Sequence, residues 1–214
     1  MGRESSIIEN KYQGNKMKPF GEYLKEVIIA PSTTPGTISL WHGGRLDNAY
    51  DETISHKKGR WEFGPGLYLT SHYQTAQKYA KGSRRLYLIT IAKGNDAKDT
   101  SIPIDKALIW CKDYVIRSKQ AEVLGRLNKW VEHGEVKAYI FINVIINNDA
   151  IKNTDTAALR TFLVRQGIDY CTINNAFGWH EKMITLFNMA KIAEKKVVKP
   201  KDKIEVFDLP VEWN

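Results

Sequence analysis

Apolar residues fall in short bursts along the chain, and their spacing alternates between strand-like and helix-like. Tyr23, Leu24, Val27 and Ile28 make one helical stripe and predict a short helix over Pro19 to Ile29. The segment PSTTPGT, 31–37, is a turn-rich connector, and Ile38 to His42 reads as a strand. Asp47 to Gly64 is polar and aperiodic, a long loop of the kind that is often functional. Leu67 to Thr70 predicts a short strand. Ser71 then caps a helix, with Gln74 completing an S-x-x-Q capping box. Tyr73, Ala76, Tyr79 and Ala80 share one face of that helix, and Gly82 stops it.

Leu86 to Ala92 is a strand rich in β-branched residues. Asp105 to Gly134 reads as helical, with Val123, Leu124, Leu127, Trp130 and Val131 as its stripe. Tyr139 to Ile146 reads as a strand, Thr156 to Gln166 as a helix stopped by Gly167. Ile168 to Ile173, Met183 to Asn188 and Ile204 to Phe207 read as strands, and Lys195 to Lys203 as a basic, solvated tail. Strands and helices mix without a βαβ period, which points to an α+β fold. Residues 1–30 form an N-terminal extension with its short helix, and 31–214 a single domain with a helical segment at 105–134.

Composition changes this picture little. The 214 residues can fill one sizeable core, and 43% hydrophobic with 26% charged is ordinary for a globular domain. No apolar run approaches the ~20 residues that cross a bilayer, and the N-terminal residues lack a signal peptide's apolar core. We therefore expect no membrane partner and a cytoplasmic protein. Two isolated cysteines, Cys111 and Cys171, give no metal motif. The charge of +8 admits an acidic partner such as nucleic acid, or serves solubility alone.

Chemistry concentrates in Phe63 to Ala80, FGPGLYLTSHYQTAQKYA. Gly64 and Gly66 flank Pro65 and let the backbone approach a ligand closely. The turn is not a dinucleotide fingerprint, because a strand follows it and the third glycine is missing. Tyr68 and Tyr79 stand eleven residues apart, on a strand and a helix. Taken singly, such tyrosines are ordinary core residues, and His42 an ordinary strand-end histidine. Gly43 and Gly44 clear space beside His42 for a ligand lying on the backbone.

Together, His42-Gly43 at a strand end, then G-x-G-Leu-Tyr-x-Thr, then a helix carrying Ala76 and Tyr79, resemble the ADP-ribosyltransferase superfamily. The likeness is to its diphtheria-toxin and poly(ADP-ribose) polymerase branch, known by a His-Tyr-Glu triad. The resemblance implies a split β-sheet sandwich with flanking helices, here with a helical insertion. It implies NAD as co-substrate. His42 would bond the adenosine-side ribose, and the Gly43 backbone would grip the nicotinamide amide. Tyr68 and Tyr79 would stack on the two faces of the ring, beside Gly66 and Ala76.

The late strand departs from the family. Gly167-Ile168-Asp169-Tyr170 resembles the family's lead-in, and Phe187-Asn188 its end, which puts Met183 in the glutamate slot. A thioether supplies no negative charge to an oxocarbenium-like transition state, a loss of ~3 kcal/mol. Glu181, two residues earlier, would share Met183's face on an extended strand; its other reading is a solvent-facing turn residue beside Trp179-His180. Glu62, Asp51 and His180 are weaker candidates. The resemblance implies a mono-ADP-ribosyltransferase acting on a protein or nucleic acid, of the type found among microbial and phage toxins and effectors. Alternatives are an NAD glycohydrolase, a catalytically inactive module binding NAD, ADP-ribose or nucleic acid, and a plain basic nucleic-acid-binding protein.

Overall fold

The computed structural model describes residues 28–44, 46, 63–81, 85–152, 155–174, 180–199 and 202–214. The fold is α+β. Its centre is an antiparallel sheet of β2 (Thr37–Gly43), β3 (Leu67–Thr70), β4 (Leu86–Ala92), β7 (Tyr170–Asn174), β8 (Lys182–Leu186) and β9 (Ile192–Val198), in the order β7-β8-β3-β2-β4-β9. Two small sheets flank it. In one, β1 (Ile28–Ile29) runs parallel to β10 (Lys203–Ile204); in the other, β5 (Ser101–Pro103) pairs antiparallel with β6 (Glu135–Lys137).

Period-two burial divides the sheet into two faces. Ile38, Leu40, Leu67, Leu69, Tyr87, Ile89, Ile184 and Leu186 form the core on one side. Trp41, Leu86 and Leu88 point the other way, under α1 (Tyr73–Ala80) and Leu209. A third cluster joins α2 (Ile104–Tyr114), α3 (Gln120–Asn128), α4 (Ala138–Asn147) and α5 (Thr156–Arg165), and reaches the sheet through Cys171 and Phe187.

Several sequence expectations are corrected. Tyr139 to Ile146 is helix α4, not a strand. Its run of Ile, Phe and Val suits either element. The fully buried Ala138, Phe141, Ile142 and Ile145 recur at i, i+3, i+4 and i+7, and packing against α3 selects the helix. Residues 105–134 are largely helical, as expected, but as two helices and not one continuous segment. Val115 is extended (ψ 134), a short 3-10 turn follows at Arg117–Lys119, and α3 ends at Asn128, leaving Trp130 56% exposed outside the stripe. Lys195 to Val198 are not tail but part of edge strand β9, where lysines discourage pairing with other chains. Ile28–Ile29 are strand, not helix end, and β10 stops at Ile204, short of the expected Phe207. The rest of the expected N-terminal helix, most of the 47–64 loop and the Gly82 stop lie outside the described residues.

The sheet is joined unevenly. Between β2 and β4 the ladder runs from Thr37↔Ala92 to Gly43↔Leu86. Between β2 and β3 it is the single pair Trp41↔Thr70. A seam therefore separates the half-sheet β7-β8-β3 from β2-β4-β9. The segment after β10 closes one end of it. Leu209 N–H donates to Ser71 O (2.9 Å), Lys182 Nζ donates to Val211 O, and Asn214 exchanges bonds with Thr37 O (3.0 Å) and Gly36 N–H (2.7 Å). Trp213 packs on Tyr170, ring centroids 5.6 Å apart.

Candidate functional site

At the open end of the seam, His42-Gly43 form one lip and Gly66-Leu67-Tyr68 the other. The His42 imidazole bridges them, its Nδ1 2.9 Å from the Tyr68 carbonyl oxygen. Alternation puts His42 on the Leu40 face, across from Tyr87 (ring centroids 6.1 Å), and Tyr68 on the Trp41 face. The two side chains thus leave the seam on opposite faces, although their backbones adjoin.

Each glycine of the motif has a packing reason. A Cβ on Gly43 would overlap the Ala76 carbonyl oxygen and lie 2.9 Å from Ala80 N, so the bare backbone seats α1 on the sheet. This brings Gly43 and Ala76 into direct contact. A Cβ on Gly66 would lie 2.5 Å from Leu186 O. Gly64 has φ +97, open to glycine, and faces Ile142 and Phe187 of the helical cluster. Its carbonyl accepts the Tyr68 hydroxyl (2.9 Å), and Phe63 N–H donates to the same hydroxyl (3.3 Å). The insertion thus supports the turn that fixes the Tyr68 ring. Tyr79 is 61% exposed on α1, turned away from the buried Ala76 and Ala80 whose face it was expected to share.

The capping box does not form. Ser71 Oγ instead accepts Lys182 N–H (3.0 Å), tying β8 to the end of β3, and α1 begins with His72 as its cap residue. Thr70 Oγ1 accepts His72 N–H (3.0 Å). It donates to Glu181 Oε1 at 2.5 Å, and His72 Nδ1 lies 3.8 Å from Glu181 Oε2. Glu181 is 2% exposed, which overturns its reading as a solvent-facing turn residue. Met183 pairs with Thr70 across the ladder and is buried. Glu181 and Met183 therefore flank one side chain, Thr70. His180 sits at φ +66 just before them, and Asp51 and Glu62 lie outside the described residues.

Sequence reading passed over Thr70 and His72, whose signal was a Thr-Ser-His run at a strand-to-helix corner. It also left Asp169 and Asn188 as mere motif markers. Asp169 Oδ1 accepts Asn188 Nδ2 (2.7 Å), Oδ2 accepts Asn95 N–H (2.9 Å), and Lys191 Nζ lies 3.4 Å away. These two residues lock the ends of β7 and β8 together. Thr185, opposite both Tyr68 and Cys171, is fully buried, and its hydroxyl has no hydrogen-bond partner among the described residues. Burial pushes the Cys171 thiol up to about 12, and Cys111 likewise, so neither is a ready nucleophile. Among the described residues, no group of three or more His, Cys, Asp or Glu is placed to hold a metal ion, and no helix is long and apolar enough to cross a membrane.

No family model matches the sequence, and no curated protein matches it. A solved structure described as "Crystal structure of an anti-CRISPR protein" shares 14% identity, with 77% of this chain and 98% of that one covered, at a TM-score of 0.35. A likeness of that size carries no argument about fold or function.

Proposed function

We propose that the chain is an NAD-consuming mono-ADP-ribosyltransferase with the split-sheet fold of that superfamily, acting on a protein or nucleic-acid acceptor. The observation that carries this reading is the seam. Around a sheet joined there by one residue pair, His42-Gly43 on one lip adjoin Gly66-Tyr68 on the other, with Ala76 against Gly43, so the backbones of the motif residues meet at one place. In the reaction, the bond between nicotinamide nitrogen and ribose C1′ breaks and its electron pair leaves with nicotinamide. The acceptor's nucleophile bonds C1′ and gives up its proton. Nicotinamide is a good leaving group, so positioning supplies much of the catalysis. Tyr68, locked through its hydroxyl, provides one ring face. Glu181 is the nearest carboxylate in sequence to the slot that Met183 fills.

A second reading has its own support. The Glu181 carboxylate is already engaged by Thr70 and adjoins His72. A carboxylate held in that way favours a module that binds NAD or ADP-ribose without turnover, or one that hydrolyses NAD slowly. The role of a toxin or effector in the cytoplasm accompanies the transferase reading.

The test is nicotinamide release from NAD, followed by chromatography with and without macromolecular acceptors, beside mass spectrometry of those acceptors. Release with an added ADP-ribose on the acceptor, lost in Tyr68→Ala and His42→Ala, supports transfer. Free ADP-ribose in equal amount to nicotinamide indicates hydrolysis. Calorimetric binding without release indicates the inactive module, and neither binding nor release refutes the NAD reading.

A further inference from the structure

We infer that the rim of the seam at the C-terminal end of α1 docks nucleic acid, which makes a nucleic acid the acceptor of the transfer proposed above. The acceptor role rests on that reading; the docking surface does not. From Phe63 to Asn95 the sequence holds no Asp or Glu, yet it contains Lys78, Lys81, Arg84, Arg85 and Lys93. The fold gathers three of these with a fourth cation, Lys199, just past the end of β9. Ala80 packs on Gly43, Gly43 pairs with Leu86, and Leu86 pairs with Val198. Lys81 follows Ala80, Arg85 precedes Leu86 and Lys199 follows Val198, so all three emerge at one end of the sheet. With Lys78 they are exposed. Gly44 N–H donates to Arg85 O (3.1 Å), tying this end of β4 to the lip that carries His42.

Adjacent strands lie about 4.8 Å apart, so the row from β2 to β9 spans roughly 10 Å. Close by, Asp202 bears a carboxylate, whose Oδ2 accepts Lys199 N–H (2.7 Å). The helix dipole accounts for Lys78 and Lys81 at the end of α1, but not for Lys199 just past the end of a separate strand. A phosphodiester chain offers one negative charge per nucleotide and bends to follow such a row. It would then lie beside the seam where C1′ is exposed to attack.

The test is fluorescence anisotropy of the full chain with labelled 20-nucleotide single-stranded RNA and DNA, without NAD. Three phosphate contacts, one each from Lys78, Lys81 and Lys199, give a log–log salt slope of about −2, a loss of about 20-fold in affinity between 50 and 200 mM salt. Neutralising the rim with Lys78→Gln, Lys81→Gln and Lys199→Gln together should weaken binding at least about tenfold and flatten that slope. Neutralising Lys106, Lys112 and Lys129, exposed on the helical insertion, should leave both nearly unchanged. Absent binding at 50 mM salt, or equal losses in the two triple variants, would overturn the inference. So would a polyglutamate of equal charge that binds as tightly through the same three lysines, which would make the partner an acidic protein. Because the assay uses no NAD, it fails separately from nicotinamide release.

Discussion

Replacing Gly43 by Ala tests the contact on which the site is built. The added methyl would overlap the Ala76 carbonyl oxygen and lie 2.7 Å from its carbon and 2.9 Å from Ala80 N. All three are backbone atoms of α1, so no side-chain rotation relieves the overlap. The helix must back away from β2 by more than the few tenths of an ångström that a packed interface yields. In doing so it loosens Ala76, Ala80 and Trp41 together, all buried at that interface. Overpacking of this kind costs about 3 kcal/mol. For a chain of this length that corresponds to a fall in Tm of roughly 6–12 °C. Gly36→Ala is the control: its φ is +70 with nothing within 4 Å, so only left-handed strain enters, about 1 kcal/mol. Thermal unfolding followed by circular dichroism measures both. A Gly43→Ala protein melting within about 2 °C of wild type, or no lower than Gly36→Ala, would refute the tight seating of α1.

Glu181→Gln keeps an acceptor for Thr70 and should leave Tm nearly unchanged, while slowing nicotinamide release about 100-fold with NAD affinity retained if the carboxylate serves the transition state; an unchanged rate would confine Glu181 to its tie with Thr70 and His72. Glu181→Ala leaves the proton of the buried Thr70 hydroxyl without its acceptor and should cost about 1–3 kcal/mol in urea unfolding. Cys111 and Cys171, at about 12 in the folded chain and about 8.5 unfolded, keep protons that the unfolded chain releases. Their stability contribution is intact below about pH 8.5 and falls as pH rises toward 12, by at most about 1.4 kcal/mol per unit each; iodoacetamide at pH 8 should label neither thiol until denaturant is added. Leu209→Ala should cost ~2–5 kcal/mol, a core-sized penalty for a residue outside every strand and helix, because it is buried against Trp41 and Ala76.

Strands were legible as short runs rich in apolar and β-branched residues: β2, β3, β4, β7 and β8 each fall within a few residues of expectation. So was α5, which ends at Arg165 before Gly167 with φ +77. The failures have separate causes. The 139–146 run is apolar except for Asn143, so no period distinguished helix from strand, and packing of the Ala138-Phe141-Ile142-Ile145 face against α3 decided it. Lys195 and Lys196 looked solvated because edge strands carry charge for reasons unrelated to burial. At the site, the glycines and Tyr68 were recognisable as a motif. Their packing roles were not, because the partners Ala76 O, Leu186 O and Gly64 O are backbone atoms that carry no side-chain signal. Ser71 was misread as a cap for the opposite reason: a Ser three residues before Gln fits a local rule, but Lys182 N–H, 111 residues away, took its oxygen.

The closure of the seam also draws on the far end of the described chain. Trp41 Nε1–H donates to Phe207 O at 2.7 Å across 166 residues, and Asn214 bonds Thr37 and Gly36. The two half-sheets can form from nearer partners, β2 with β4 and β7 with β8. Their docking is reinforced by a segment that is synthesised after all of them. Contacts of such sequence separation slow the search for the native topology. A chain that had formed every strand of the large sheet would still lack these ties across the seam until residues 207–214 dock.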